Sequence, residues 1–314
     1  MNKKKVLLIS YSQTGQLNDV LSSLSSPLLN NTNIEVTHHI IKPKKNYPFP
    51  WNFFDFMDCF PESVYLEPCE IENIEDNNDY DLIILAYQVW FLSPSIPITS
   101  FLKSSWAKQK FKNKPVITLI GCRNMWIMAQ EKIKKMLLEL DAKLIDNVVL
   151  IDKGNSLETF ITTPRWMLTG KKNSIFGLSS AGIDENEIIK SQRFGKALVD
   201  ALLNNKEKEN KSLLYGLKAV EVNIKLIKSE QIGIKSFMIW GNLIRKIGKQ
   251  GSFARKPVLI IYLLFLLSMI ITVVPINMII QSILRKINKK LAIKQKEFYE
   301  LPSGSGNERM KEYQ

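Results

Sequence analysis

Residues 12 to 16 read Ser12-Gln13-Thr14-Gly15-Gln16, a combination suited to holding a phosphate monoester. Such a group needs several N–H and O–H donors converging on it. Backbone N–H groups at a helix N-terminus supply them, Ser and Thr hydroxyls add to them, and glycine permits close approach. The same five residues also suit a plain helix-capping turn. Their position favours the cradle, because they follow the apolar run Val6-Leu7-Leu8-Ile9 and precede Leu17, Val20, Leu21 and Leu24 at helical spacing. That pattern reads as strand, loop and helix.

Two tryptophans, Trp90 and Trp126, each stand a few residues after a later apolar run. Indoles at the ends of strands suit the two faces of a flat ring, although both also suit ordinary packing. Arg123 and Asn124, beside the second of them, are able to donate to carbonyl oxygens on such a ring and to favour its reduced anion. Arg123 reads equally well as a surface ion-pair residue. His38 and His39 are the only histidines. Strand alternation sends them to opposite faces, so at most one reaches a site, and His39 stands beside Arg123 as a candidate catalytic group. Arg165-Trp166-Met167, with Lys171 and Lys172, forms a basic and aromatic group suited to gating a substrate or to anchoring at an interface.

These residues must be positioned by a sheet. Strands are expected at 6–9, 34–41, 81–86, 115–121 and 147–151, with helices at 17–24, 96–106, 130–140 and 184–203. The alternation implies a five-stranded, doubly wound parallel sheet, which binds ligands at the carboxyl ends of its strands. Residues 42–70 carry five prolines among aromatics and read as a long irregular connection. Residues 153–183 are too long for a simple connection and read as a lid or substrate wall.

Charge divides the chain in two. Residues 1–203 hold 23 Lys and Arg against 22 Asp and Glu, whereas 204–314 hold 20 against 8. A near-neutral front argues against nucleic acid as a partner, and a basic surplus beside an apolar run suits an anionic membrane. Residues 204–211 read as a polar linker. Leu213, Leu214, Leu217, Val220, Ile224 and Ile227 mark one amphipathic helix, and Phe237 to Ile247 mark another. Residues 257–284 carry no charge and are long enough to cross a bilayer. Basic residues flank both ends of that stretch, which leaves a single span and a re-entrant turn at Pro275 both open. The tail, 285–314, reads as basic, then polar and frayed. Three widely spaced cysteines and no Cys/His ligand cluster point away from disulfides and structural zinc. No secretory leader is expected, since the first apolar run is too short.

The Ser-Gln-Thr-Gly-Gln loop resembles the phosphate loop of flavodoxins. The chain as a whole resembles a narrower flavodoxin-like group, the dialkylresorcinol condensing enzymes. That likeness is carried by Ile41-Lys-Pro through Tyr47-Pro-Phe-Pro-Trp51, by Tyr87-Gln-Val-Trp90 and Pro94-Ser-Ile-Pro97, by the run from Gly121 to Glu131, and by Trp166-Met with Thr169-Gly-Lys-Lys172. The resemblance implies FMN held by Ser12, Gln13, Thr14, Gly15, Gln16, Leu17, Gln88, Val89, Trp90, Phe91, Gly121, Cys122, Arg123, Asn124 and Trp126. Gln16-Leu17 departs from the Asn-Thr often found there, which removes a hydroxyl donor. The implied domains are an FMN-binding unit over 1–203 with its insertion at 153–183, basic amphipathic helices over 204–256, a membrane segment over 257–284 and the tail. The implied role is oxidation of a dialkyl-cyclohexanedione to a dialkylresorcinol, a precursor of flexirubin-type pigments, on the cytoplasmic face of the inner membrane. A ketosynthase and an acyl carrier protein are the implied partners, with a hydrophobic small molecule as substrate. A membrane NAD(P)H:quinone reductase and a non-catalytic electron carrier remain alternatives.

Overall fold

The computed structural model describes residues 3–152, 154–155 and 158–313. Met1 and Asn2 of the expected first unit, Lys153, Ser156 and Leu157 of the expected insertion, and Gln314 of the expected tail lie outside the described residues. Among the described residues six strands form: β1 (Lys4–Ser10), β2 (Ile34–Ile40), β3 (Leu82–Trp90), β4 (Ser93–Pro94), β5 (Pro115–Cys122) and β6 (Lys143–Ile151). Five of them lie side by side in the order β2-β1-β3-β5-β6, and every pairing along that path is parallel. The short β4 turns back antiparallel on the end of β3. Val6, Leu7 and Ile9 and the run Leu82 to Tyr87 are fully buried, as expected for a parallel sheet covered by helices.

After β1 comes α1 (Gln16–Leu29). The 42–70 connection holds two short helices that its prolines did not suggest, α2 (Phe53–Asp58) and α3 (Phe60–Tyr65). The prolines fall outside them, apart from Pro61 in the first turn of α3, where a missing N–H costs nothing. The helix expected over 96–106 is split into α4 (Ile96–Leu102) and α5 (Ser105–Phe111). The Ser104 hydroxyl accepts the Ala107 N–H and starts the second of these. Next come α6 (Ile127–Glu139) and, inside the 153–183 insertion, α7 (Thr159–Thr169). The helix expected over 184–203 breaks at Ser191 into α8 (Glu185–Lys190) and α9 (Gln192–Leu203).

The C-terminal third departs most from the sequence reading. No helix forms over 213–223; instead Leu213, Leu214, Leu217, Ala219, Val220 and Val222 are buried in the main core. Apolar spacing alone cannot separate a helix face from an extended segment laid on a core. The two expected amphipathic helices are replaced by one, α10 (Ile224–Ile247). The linker at 204–211 contains a buried Glu207, whose carboxylate takes the Lys4 ammonium at 2.6 Å. Then follow α11 (Arg255–Ile271), α12 (Val273–Ile287), α13 (Lys289–Glu300) and α14 (Met310–Tyr313). The tail is not frayed. Buried Ser303 donates to Asp146 on β6 at 2.7 Å, and the Lys218 and Val220 N–H groups donate to the Gly306 and Gly304 carbonyls.

Asp146 ties these segments together. Its carboxylate accepts from the Ser212 and Ser303 hydroxyls and from the Leu213 and Leu214 N–H groups. Burial nevertheless raises its pKa to about 6 from 3.8, against the four donors that lower it. The native state therefore holds this proton more tightly than the unfolded chain. The stability gained from that is complete below about pH 4 and is lost as pH rises toward about 6, with about 3 kcal/mol at stake. Urea unfolding followed from pH 4 to 6.5 is expected to show that decline. Asp146→Asn is expected to flatten it, and an unchanged slope in the variant would assign the pH dependence to other groups.

Arg255, at the start of α11, is 1% exposed and bonds Asp58 at 3.2 Å and Glu62 at 2.7 Å, both on the α2–α3 connection. Glu300, at the end of α13, accepts the Val222 N–H. Both flanks of the apolar stretch are thus attached to the same α/β body. Among the described residues, one helical run, Arg255–Ile283 across α11 and α12, is by length and composition long and apolar enough to cross a membrane. Much of its surface is open, including Ile260, Ile261, Leu264, Leu267, Ile271, Ile276, Ile279 and Ile283.

Candidate functional site

A cleft of about 770 Å³, counting its mouth, opens at the carboxyl ends of β1, β3 and β5. The cleft sits where strand order reverses between β1 and β3, the place at which doubly wound sheets bind ligands.

One end is the loop before α1. Gly15 is the N-cap, at φ 85° in the left-handed region, and no side chain caps the helix. Of the first-turn N–H groups, that of Asn18 donates to the Gly15 carbonyl at 2.9 Å and that of Gln16 to Thr14 Oγ1 at 3.4 Å, both within the loop and first turn. The Ser12 hydroxyl is buried and makes no hydrogen bond. A buried hydroxyl and an uncapped helix end at one place are donors arranged for an anion. Gln13, Thr14, Gln16 and Leu17 line this end. The Gln13 N–H donates to the Gln88 side-chain carbonyl at 3.2 Å, which ties the loop to β3.

Gln16 points elsewhere. Its amide donates to the Ile183 carbonyl at 3.2 Å and accepts the Ile183 N–H at 3.0 Å. Gly182, at φ 93°, lets the 153–183 insertion come this close, since a Cβ there would lie 2.7 Å from Gln16 Oε1. Asp152, at the end of β6, holds the same insertion from the other side, accepting the Gly182 N–H at 2.7 Å and the Gly154 N–H at 2.9 Å.

The apolar end has Trp90 as its fixed wall. The indole is 7% exposed and boxed edge-on by Tyr11, Tyr47 and Trp51, with centroids 5.9, 5.1 and 5.6 Å away. Phe91 stacks on Phe56 at 4.7 Å. Phe91 and its neighbour Leu92 both have positive φ, 49° and 57°. For non-glycine residues that conformation costs on the order of 1–3 kcal/mol each and persists only where the surroundings fix it. Trp166 and Met167, from α7, line the cleft from the insertion.

Of the residues expected from sequence, Gln13, Thr14, Gln16, Leu17, Gln88, Val89, Trp90, Phe91, Gly121, Cys122 and Arg123 all line the cleft. Trp126 does not. It is 2% exposed and packs within the main core just before α6, so Trp166 is the second indole at the cleft. Asn124, Ser12 and Gly15 are not among the lining residues either; Ser12 and Gly15 stand in the loop beside the lining residues Gln13, Thr14 and Gln16. His39 is also elsewhere, bonded to Asp76 at 2.8 Å and edge-on to Trp106. Desolvation opposes ionisation of Asp76, but hydrogen bonds from His39 and Tyr80 bring it down to about 2, so the pair is a structural one. His38 is occupied by the Ser10 hydroxyl at 2.8 Å.

Arg123 lies against α7. Its Nε donates to Thr159 Oγ1 at 2.7 Å, and its guanidinium sits 3.9 Å from the Phe160 ring centroid. Burial lowers its pKa to about 10, with Asp152 opposing, which still leaves a cation at neutral pH. Burial holds the Cys122 thiol well above its ordinary range, with help from Glu230 and Asp152, so it is no nucleophile. Among the described residues, no group of three or more His, Cys, Asp and Glu side chains is placed to hold a metal ion.

All-parallel pairing, the strand order and the cleft at the β1/β3 reversal decide the architecture. The fold is flavodoxin-like. A flavoprotein in complex with FMN from Lactobacillus acidophilus NCFM is 18% identical over 47% of this chain and 93% of its own, with a TM-score of 0.37. The oxidised flavodoxin 1 of Bacillus cereus is 16% identical over 63% of this chain and 98% of its own, with a TM-score of 0.34. A flavodoxin from the domain Archaea is 9% identical over 63% of this chain and 99% of its own, with a TM-score of 0.36. No family model and no curated protein matches the chain.

Phe56, Asp152, Thr163, Gly182 and Ile183 line the flavodoxin-like cleft without having been marked in the sequence. Only Asp152 carried a signal, as an acid directly after the apolar run of β6. The others reach the cleft through the folding of the 42–70 and 153–183 connections, which no local pattern specifies.

Proposed function

We propose that the cleft binds FMN and that the protein is a membrane-associated oxidoreductase acting on a hydrophobic small molecule. The observation that carries this reading is the uncapped start of α1 beside the unpartnered Ser12 hydroxyl, placed one cleft-length from Trp90 and Trp166. Ser12, Thr14 and the first α1 amides would hold the phosphate. Trp90, Val89, Trp166 and Met167 supply apolar surface for a flat ring, and Gln88, Gly121, Cys122 and Arg123 supply its polar edge. Gln16 is committed to the insertion, so the phosphate end has one donor fewer. FMN, when bound, supplies a hydride acceptor.

The finer reading is aromatisation of a dialkyl-cyclohexanedione to a dialkylresorcinol, in a flexirubin-type pathway with a ketosynthase and an acyl carrier protein as partners. The oxidation removes a hydride and a proton from the ring. Arg123 remains cationic beside the cleft and stabilises negative charge developing there. Phe56, Phe91, Trp166 and Met167 give alkyl chains an apolar surface. The open faces of α11 and α12 would lie in one leaflet on the cytoplasmic side of the inner membrane, since the chain returns to the same body after them. Basic residues on both flanks suit anionic lipid there.

Purified protein in detergent is expected to quench the fluorescence of added FMN. Under anaerobic conditions, a 2,5-dialkylcyclohexane-1,3-dione is expected to bleach the bound flavin and leave the resorcinol. Bleaching by NAD(P)H with no response to the dione would sink the aromatisation reading, and absence of FMN uptake would sink both levels.

A further inference from the structure

Helix α10 touches both loops at the ring side of the cleft through one face. Glu230, Gly233 and Phe237 stand at i, i+3 and i+7, which aligns them along one stripe of a helix. Glu230 is fully buried, and its carboxylate accepts the Met128 N–H at 3.0 Å at the start of α6. That helix start directly follows the 121–126 loop, whose first three residues line the cleft. Burial pushes Glu230 up to about 8, against the α6 N–H groups that lower it. A neutral carboxyl is therefore its main form near pH 7, and its oxygen acts as a hydrogen-bond acceptor for α6.

The second loop meets the next two residues. A Cβ placed on Gly233 would lie 3.1 Å from Leu92 Cδ1. Phe237 packs edge-on to Phe91 with centroids 6.4 Å apart, and also against Phe60 at 5.3 Å. Phe91 and Leu92 are consecutive non-glycine residues with positive φ. A conformation of that kind requires neighbours that hold it, and α10 together with α2 and α3 provides them.

We infer that α10 positions the cleft: Glu230, Gly233 and Phe237 set both ring-side loops, so that seating of the C-terminal segment on the α/β body and cofactor binding form one coupled equilibrium. This rests on the flavin reading of the cleft. Coupling of two binding events is reciprocal. A membrane that favours the seated arrangement of α10 and α11 therefore tightens cofactor binding, and the cofactor favours the seated arrangement by the same factor.

The test uses the full chain in detergent. Gly233→Leu, which pushes on Leu92, and Glu230→Leu, which removes the acceptor from α6, are expected to weaken FMN about tenfold or more, within the range of coupled sites. Glu230→Gln keeps an oxygen for the Met128 N–H and is expected to retain affinity, a rescue that loss of general packing would not produce. Lys235→Ala, on the exposed side of the same helix, is expected to change nothing. Phe237→Ala serves if Gly233→Leu does not fold. A second readout needs no cofactor: amide exchange at 90–93 and 122–128 is expected to rise in the Gly233 and Phe237 variants. Unchanged exchange there, or FMN affinities equal to wild type in all these variants, would overturn the inference. Faster exchange in a protein that takes up no FMN would uphold the positioning and reject the flavin reading instead.

Discussion

Gly15→Asp is expected to abolish FMN binding and leave the protein folded. A side chain finds room, since a Cβ on Gly15 meets nothing within 4 Å, although the positive φ strains any substitution there. Its φ of 85° lies in the left-handed region, where aspartate and asparagine are the most tolerated of the larger residues. A carboxylate at the N-cap also suits the dipole of α1, which offsets part of that strain. The loss falls on the ligand. A fixed negative charge about 4 Å from a phosphate repels it by about 4 kcal/mol at an effective dielectric of 20, which is about a thousandfold in affinity. Gly15→Asn has the same size without the charge and is expected to bind within about tenfold of wild type, an allowance of about 1.4 kcal/mol. Fluorescence titration with FMN checks both, with a thermal melt to confirm folding. Equal loss in the two variants would point to steric blockage, and the account of an anion held by helix amides would fail.

Arg255→Met is expected to destabilise the protein by about 3–5 kcal/mol, because it strands two carboxylates that are mostly out of water. The guanidinium bonds Asp58, Glu62 and the Gly248 carbonyl, so its removal leaves three acceptors facing an apolar side chain. Glu62 and Asp58 side chains are only 15% and 14% exposed, which limits solvent compensation. The loss should be local as well as global. Phe60 stacks on Tyr262 at 4.6 Å in the small cluster that joins α3 to α10 and α11, and this cluster is the first to open. Urea unfolding gives the magnitude, and amide exchange over 255–266 gives the location. Adding Asp58→Asn and Glu62→Gln is expected to restore much of the loss by removing the stranded charges. Failure of that restoration would show that the packing of the arginine stem, and not its charge, holds α11 in place.

The apolar C-terminal helices and the cleft meet at the same residues. Phe56 and Phe91 line the cleft, Phe60 packs on Phe91, and Phe237 and Tyr262 pack on Phe60. An unbroken set of aromatic contacts therefore joins the cleft wall to the first helix of the apolar stretch. Close-packed interiors transmit displacement, so disturbance at α10 and α11 reaches Phe91. This gives the Arg255→Met variant a second expected consequence, weaker FMN binding.

Local patterns in the sequence were enough for the sheet. Continuous apolar runs at 6–9, 82–86 and 115–120 leave no polar face, and residues of that kind must be covered on both sides. The donor-rich loop at 12–16 and the loops after β3 and β5 follow from those strands, because a parallel sheet brings its carboxyl ends to one edge. Sequence also separated a neutral front from a basic back. Tertiary structure alone decided what lies opposite each loop. Trp126 has the same local setting as Trp90, yet one is core and the other wall, since the difference depends on how α6 and the insertion pack. Leu213 to Val222 carry helical spacing but lie against β6 and the 300–306 segment instead, because Asp146, Glu300 and the Gly304 and Gly306 carbonyls accept their N–H groups there. The links that close the site and seat the back half, Gln16 to Ile183, Asp146 to Ser303, Arg255 to Glu62 and Glu230 to Met128, join residues at least 100 positions apart. A periodicity read over a few helical turns reports which side of an element is apolar; it holds no information on which distant group that side will meet.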